Sequence, residues 1–174
     1  MRTGTGESIL LCVCSDGEGV CVEGVEPPDT SIRFVTRVGE RFPIHAGAAG
    51  KVLLAFQPDD VLEEHLRTPL RRYTENTITD PARLRHELAT IRARGYATSH
   101  GEVEIGAQSV AAPIRDHGGA VAAEINLIGP AFRLARRRLR KLAPVVVAAA
   151  DTISIGLGHT VTRPIQTARS LRSG

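Results

Sequence analysis

The chain of 174 residues contains no tryptophan, and its aromatic residues amount to 3%. Binding single-stranded nucleic acid by stacking needs aromatic side chains interleaved along a basic groove, so composition sets that class aside. No apolar run approaches the roughly 18 residues of a membrane span, and the N-terminus has no secretory apolar core. The expected location is the cytoplasm, with no membrane partner. Cysteine is scarce and odd in number: Cys12, Cys14 and Cys21. In a chain with no export signal these read as reduced thiols, not as a disulfide framework. Charge of one sign is also short. The net charge is +3, and much of the excess lies between Arg133 and Lys141, whereas a general nucleic-acid surface spreads its basic residues over a face. There is no G-x-S-x-G elbow, and none of the six histidines (His45, His65, His86, His100, His117 and His159) stands four residues from another. Neither a nucleophile elbow nor a helical metal pair is therefore present, and no catalysis, cofactor or metal is expected.

What is present is a globular composition, 42% apolar and 24% charged, in a chain long enough for one domain with a substantial core. One stretch invites a nucleotide-binding reading: "ERFPIHAGAAGKVLLAF", Glu40 to Phe56. A phosphate-binding loop requires G-x-x-x-x-G-K-[ST]. Here His45 stands where the first glycine belongs, and Val52, which has no hydroxyl, follows Lys51. That reading fails. What remains is a small-residue turn, Gly47-Ala48-Ala49-Gly50, opening a helical pattern. Its residues are small either because exposed backbone amides there hold an anion or because the helix packs closely on a sheet.

The order of elements follows from periodicity. Strands are expected at 8–14 and 20–25, joined by "SDGEG", and at 31–37 after "EPPDT", whose prolines cannot donate to a ladder. Helices follow at 48–56 and 58–66. A third is capped by Asp80, begins with Pro81 and ends at Gly95, with Leu84, Leu88 and Ile91 on one face. A short strand at 96–99 precedes "QSVAAPI" (108–114) and "AVAAEINLI" (120–128), which flank the turn "RDHGG". A long final helix starts near Leu134, with Leu139, Leu142, Val146, Ala149, Ile153 and Leu157 on one face and Pro144 bending it or resetting its start. The tail from His159 is polar and aperiodic and is expected to be disordered. Hairpin-joined strands with helices between them predict an antiparallel α+β domain of five or six strands.

Several groups carry two readings. Cys12 and Cys14 share a strand face, and an even hairpin loop would set Cys14 opposite Cys21. The three thiols are either small core hydrophobes or a redox or metal site. The basic run "RLARRRLRKLAP" reads as the solvated face of an amphipathic helix in preference to a nucleic-acid patch. "SHGEVEIG", Ser99 to Gly106, is a loop or lid of the kind that lines binding sites. Glu124, Asn126 and Ile128 alternate onto one sheet face, which is either covered, leaving buried polar groups in need of partners, or open to water.

Laid in order, "TGESILLCV", "RVGERFPIHAGAAGKVLLAF", "ITDPARLRHELATIRARGYA", "GAQSVAAPIRDHGGAVAAEINLIGP" and "RLRKLAPVVVAAADTIS" resemble the effector-binding domain of IclR-type bacterial transcriptional regulators, from about Thr5 to Leu157. The resemblance implies a GAF/PAS-like domain over residues 1–158: a six-stranded antiparallel sheet with a small-molecule pocket between the sheet and the loops and helices on one side. It implies dimer and tetramer contacts, and ligand binding coupled to DNA binding through an N-terminal winged helix-turn-helix, for which this chain has too few residues before its first strand. It places Ala48 and Ala49 on the carboxylate or similar anion of a small organic effector. Phe34 and Phe42 would be apolar walls, and Ser99, Ser109, Asn126 and Ile128 lining groups. The chain departs from the family in two places. The loop after Ser99 keeps only Glu102 of its usual acidic residues, and Glu124 stands where small or apolar residues are usual. Glu124, facing the pocket, is expected to select a ligand carrying a donor such as a hydroxyl or amine. The competing reading is a GAF-like thiol redox sensor or enzyme using Cys12, Cys14 and Cys21.

Overall fold

The computed structural model describes residues 5–27 and 36–160. Asp16 and Gly17 both take positive φ, 54° and 77°, the requirement of a two-residue hairpin turn that matches strand twist. They join β1 (Ser8–Ser15) to β2 (Glu18–Val25). The turn sits one residue earlier than a Cys14–Cys21 pair requires, so Cys12 faces Cys21 and Cys14 faces Gly19. The expected strand at 31–37 lies largely outside the described residues, and Thr36 and Arg37 are not in a strand. The neighbour of β2 is instead the two-residue β3 (Arg41–Phe42). Pro43, which has no N–H to continue the ladder, ends it.

Three helices follow: α1 (Gly47–Ala55), α2 (Asp59–Arg67) and α3 (Pro81–Arg94). The last has the expected ends. The Asp80 side chain accepts a hydrogen bond from the Arg83 amide, and Gly95 closes the helix in the left-handed conformation at φ 80°. Then come β4 (Ala97–His100), β5 (Ala107–Arg115), β6 (Val121–Pro130) and α4 (Arg136–Gly156). The six strands form one antiparallel sheet in the order β3-β2-β1-β6-β5-β4.

Helices cover both faces of this sheet, which explains why residues 109–112 and 124–127 are buried without alternation. On one face Ala97 and Ala111 pack under α1, α2 and α3 with Leu84, Leu88 and Ile91. On the other, Val110, Ala112, Ile125 and Leu127 meet α4. Each fully buried leucine or isoleucine contributes about 1.5–3 kcal/mol. The stripe that α4 presents is Leu139, Ala143, Val146, Ala150 and Ser154, not the larger set expected from the sequence. Leu142 and Ala149 flank it, while Ile153 and Leu157 are exposed. Small side chains let the helix lie close to the sheet, so the contact line runs one residue beside the bulkier row. Pro144 lies inside α4 and does not reset it. Of the basic run, Arg136, Arg137, Arg140 and Lys141 are exposed, in keeping with a solvated face. Arg133 instead grips the buried carboxylate of Glu7, with nitrogen–oxygen distances of 2.9 to 3.2 Å. Of the tail, only His159 and Thr160 are described, and both are irregular.

Candidate functional site

The two glycines of the opening turn have different causes. Gly47 sits at φ 79° as the first residue of α1, where a side chain would be strained. Gly50 is required by packing: a Cβ there would collide with the Pro43 carbonyl oxygen and lie 2.9 Å from Ile44 Cα. Close packing and a helix start without a capping side chain are therefore both present in one turn.

Lys51 is not a phosphate ligand. Its side chain is 2% exposed and its Nζ donates to Glu102 Oε1 at 2.6 Å, Thr98 O at 2.9 Å and Glu87 Oε1 at 3.3 Å. Glu102 uses its other oxygen to accept the Gly47 amide at 3.1 Å. The loop between β4 and β5 is thus tied down on α1, with Thr74 and Thr77 hydroxyls donating to the Gly101 and Glu102 carbonyls. Sequence reasoning noted Glu102 as the survivor of an acidic group but missed its partner. The i, i+51 separation leaves no periodic signal. The N-cap of α1 is Ala46, which offers no side-chain acceptor, and the first turn has no acidic residue. Among the described residues no side chain caps the amides of Ala48 and Ala49.

Above this helix start, beneath the 101–106 loop and against the sheet, is a cavity of about 410 Å³. Ala48, Ala49 and Phe42 line it, as do Ser99, Ser109, Asn126 and Ile128 from the sheet. These seven positions were anticipated. Phe34 lies outside the described residues. Glu124 shares the sheet face of Asn126 but does not line the cavity. It is fully buried behind the wall made by its cross-strand neighbour Cys12 and by Asn126. Among the described residues no N–H or O–H donor reaches either Glu124 oxygen or Asn126 Oδ1, and the group against the Glu124 carboxyl is the Cys12 thiol. Burial pushes the Glu124 carboxyl up to about 8, and a hydrogen bond from the Cys12 thiol opposes this. Leu10, Val103, Glu40 and Glu104 complete much of the wall, and among the described residues no lysine or arginine lines it.

The thiols do not form a reactive centre. Cys12 and Cys21 are fully buried, and burial is the first cause that raises all three thiols above their ordinary value. Among the described residues no group of three or more histidine, cysteine or carboxylate side chains is placed to hold a metal. Since the thiolate is the reactive species, titration with a disulfide reagent at neutral pH should find Cys12 and Cys21 unreactive until denaturant is added. A native thiol reacting faster than free cysteine would restore the redox reading.

Residues 1–155 match the family model of the "Bacterial transcriptional regulator IclR C-terminal" domain. The chain is 37% identical over 154 residues to the HTH-type transcriptional regulator BhcR of Paracoccus denitrificans, covering 88% of this chain and 55% of that protein. It superposes on the crystal structure of the Thermotoga maritima IclR with a TM-score of 0.83 at 38% identity, over 89% of this chain and 63% of that one. It also superposes on the inducer-binding domain of PobR from Acinetobacter, solved as a double mutant with 3-hydroxybenzoic acid, with a TM-score of 0.78 at 27% identity, over 85% and 87%. The chain spans little more than half the length of the curated relatives it matches. These relatives are transcriptional regulators and not enzymes, and a match running through β1, the α1 turn, the cavity wall and α4 places the chain among the IclR-type bacterial transcriptional regulators, as their C-terminal domain.

Proposed function

We propose that this domain is the sensor of a transcriptional regulator, and that the cavity over α1 takes a small organic effector through a carboxylate or similar anion. One observation carries this reading. The cavity opens on a helix start whose capping residue supplies no acceptor, and such a start attracts negative charge. Glu102 already places a carboxylate oxygen on the neighbouring Gly47 amide, in keeping with a helix start that favours negative charge. An inducer-binding domain of the same fold has been crystallised with an aromatic acid.

In this reading the effector shifts a population between subunit arrangements, and those arrangements alter DNA binding by a winged helix-turn-helix outside this chain. The domain works in the cytoplasm as a homodimer or tetramer. No helix among the described residues is long and apolar enough to cross a membrane. The test is melting temperature against a panel of aliphatic acids, aromatic acids, sugars and amines. A ligand at 100 times its dissociation constant adds about 2.7 kcal/mol, which is roughly 5–10 °C for a domain of this size. A shift confined to acids is the expected result. Shifts with neutral sugars alone, or with nothing in the panel, would remove the reading.

A further inference from the structure

The start of α4 gathers cations for which the fold supplies no counter-charge. Arg136, Arg137, Arg140 and Lys141 are all exposed. At helical spacing they fall within about 140° of arc, beside the buried row of Leu139 and Ala143. Separations of three and four residues make them neighbours of like sign, which disfavours the helix. Arg136 and Arg137 also stand in the first turn, the end of a helix dipole that favours anions. That turn has no acidic residue, and the first along the helix is Asp151. Among the described residues none of the four has an ion pair. The pairs at this end belong to their neighbours: Arg133 and Arg138 hold the Glu7 carboxylate at 2.9 and 3.5 Å. Arg138 also donates to the Thr5 carbonyl at 2.6 Å. These contacts fasten the chain entering β1 to the start of α4. In HTH-type relatives this domain is the C-terminal one, so their DNA-reading part joins it through the segment before β1, at the end where the cations lie.

We propose that this face of α4, solvated in the free domain, is an accessory surface for the phosphate backbone of double-stranded DNA. A row of phosphates supplies the counter-charge that the fold lacks, and it releases bound counterions on contact. The contact reads no bases, since lysine and arginine on phosphates position a protein without carrying sequence information. It adds affinity for any duplex that a DNA-reading domain already holds. The scarcity of aromatic residues is no obstacle, because stacking serves single strands. The inference is independent of what the cavity binds, so each stands or falls by its own test.

The experiment titrates a fluorescent duplex of arbitrary sequence with the intact chain and follows anisotropy. Phosphate contacts from all four residues give a log–log salt slope of about −3.6, a loss of about 150-fold in affinity between about 50 and 200 mM salt. Replacing Arg136, Arg137, Arg140 and Lys141 together with Gln should weaken binding about tenfold or more at the lower salt and flatten the slope. A second variant places Gln at four exposed arginines elsewhere, Arg37, Arg67, Arg71 and Arg83. It makes the same change in net charge and should bind within about threefold of the unaltered chain. Glutamine resembles arginine and lysine in helix propensity, so the α4 variant should melt no lower than the unaltered chain. If it does not fold, Arg137→Gln and Arg140→Gln decide singly, each reducing the slope by about 0.9. No binding by the unaltered chain at about 50 mM salt, or equal losses in the two four-residue variants, would overturn the proposal. Tighter binding to phosphatidylserine vesicles than to the duplex at equal salt would also overturn it and assign the face to a membrane surface.

Discussion

Replacing Lys51 with Met should destabilise the domain by about 3–5 kcal/mol, the cost of removing one partner from a buried ion pair. Three acceptors converge on the Lys51 ammonium, and the pair with Glu102 is the shortest and most buried of these contacts. Met fills the volume of the stem but leaves the Glu102 carboxylate enclosed with only the Gly47 amide, and the Thr98 carbonyl with no donor from this side. For a domain of this length the melting temperature should fall by roughly 10 °C or more. The loop over the cavity is tied to α1 through Glu102, so the same change should loosen the roof of the site and raise hydrogen exchange at residues 101–106. Glu102→Gln added to Lys51→Met removes the unpaired charge. The double variant should therefore be more stable than the sum of the two single losses, by about 1–3 kcal/mol. Denaturant unfolding of the four proteins measures this coupling. Additive losses, or a loss below about 1 kcal/mol for Lys51→Met alone, would mean that water reaches the pair and that the roof is not held by it.

The elements most legible in the sequence are those whose cause is local. Asp80, Pro81 and Gly95 mark the ends of α3 because capping acts within a few residues, and the Asp116 turn is set by its own side chain accepting the Gly118 and Ala120 amides. The cavity wall was legible through likeness of motif, since alternation alone placed Asn126 and Ile128 on one face without saying that the start of α1 faces it across a cavity. What was not legible depends on distant chain. The Lys51–Glu102 pair spans 51 residues and the Glu7–Arg133 pair 126. Two histidines far apart in sequence, His45 and His65, meet with ring centroids 6.0 Å apart, and the His45 ring donates from Nε2 to the Arg71 carbonyl at 2.9 Å. The Cys14–Cys21 pairing failed by one step because the turn centre is chosen by which two residues accept positive φ, and Asp16-Gly17 takes it in preference to Gly17-Glu18. The α4 stripe failed because size was read as burial, whereas close approach to a sheet favours Ala143, Ala150 and Ser154.

Glu124→Gln should leave stability nearly unchanged near pH 4.5 and raise it by several kcal/mol near pH 8. The carboxyl is fully buried and is pushed up from 4.5 to about 8 by loss of hydration, against a hydrogen bond from the Cys12 thiol. Its folded-state value is above its unfolded value. The stability it contributes as a neutral acid is therefore complete below about 4.5 and is lost as pH rises toward 8, because the unfolded chain gives up the proton first. The loss runs at about 1.4 kcal/mol per pH unit across that window and levels off beyond it. Glutamine matches the neutral acid in shape and cannot ionise, so the variant lacks this slope. Other groups titrate in the same range, among them His65, which burial and then the charge of His45 push down. They are common to both proteins and cancel in the difference. The difference curve from chemical denaturation at pH 5, 6, 7 and 8 therefore reports Glu124 together with the Cys12 and Cys21 thiols that feel its charge. A flat difference would place the carboxyl in contact with water or a cation. A rising difference would show that the interior behind the Cys12 and Asn126 wall is dry and holds Glu124 as a neutral acid at pH 7, where ionising it costs the fold the most.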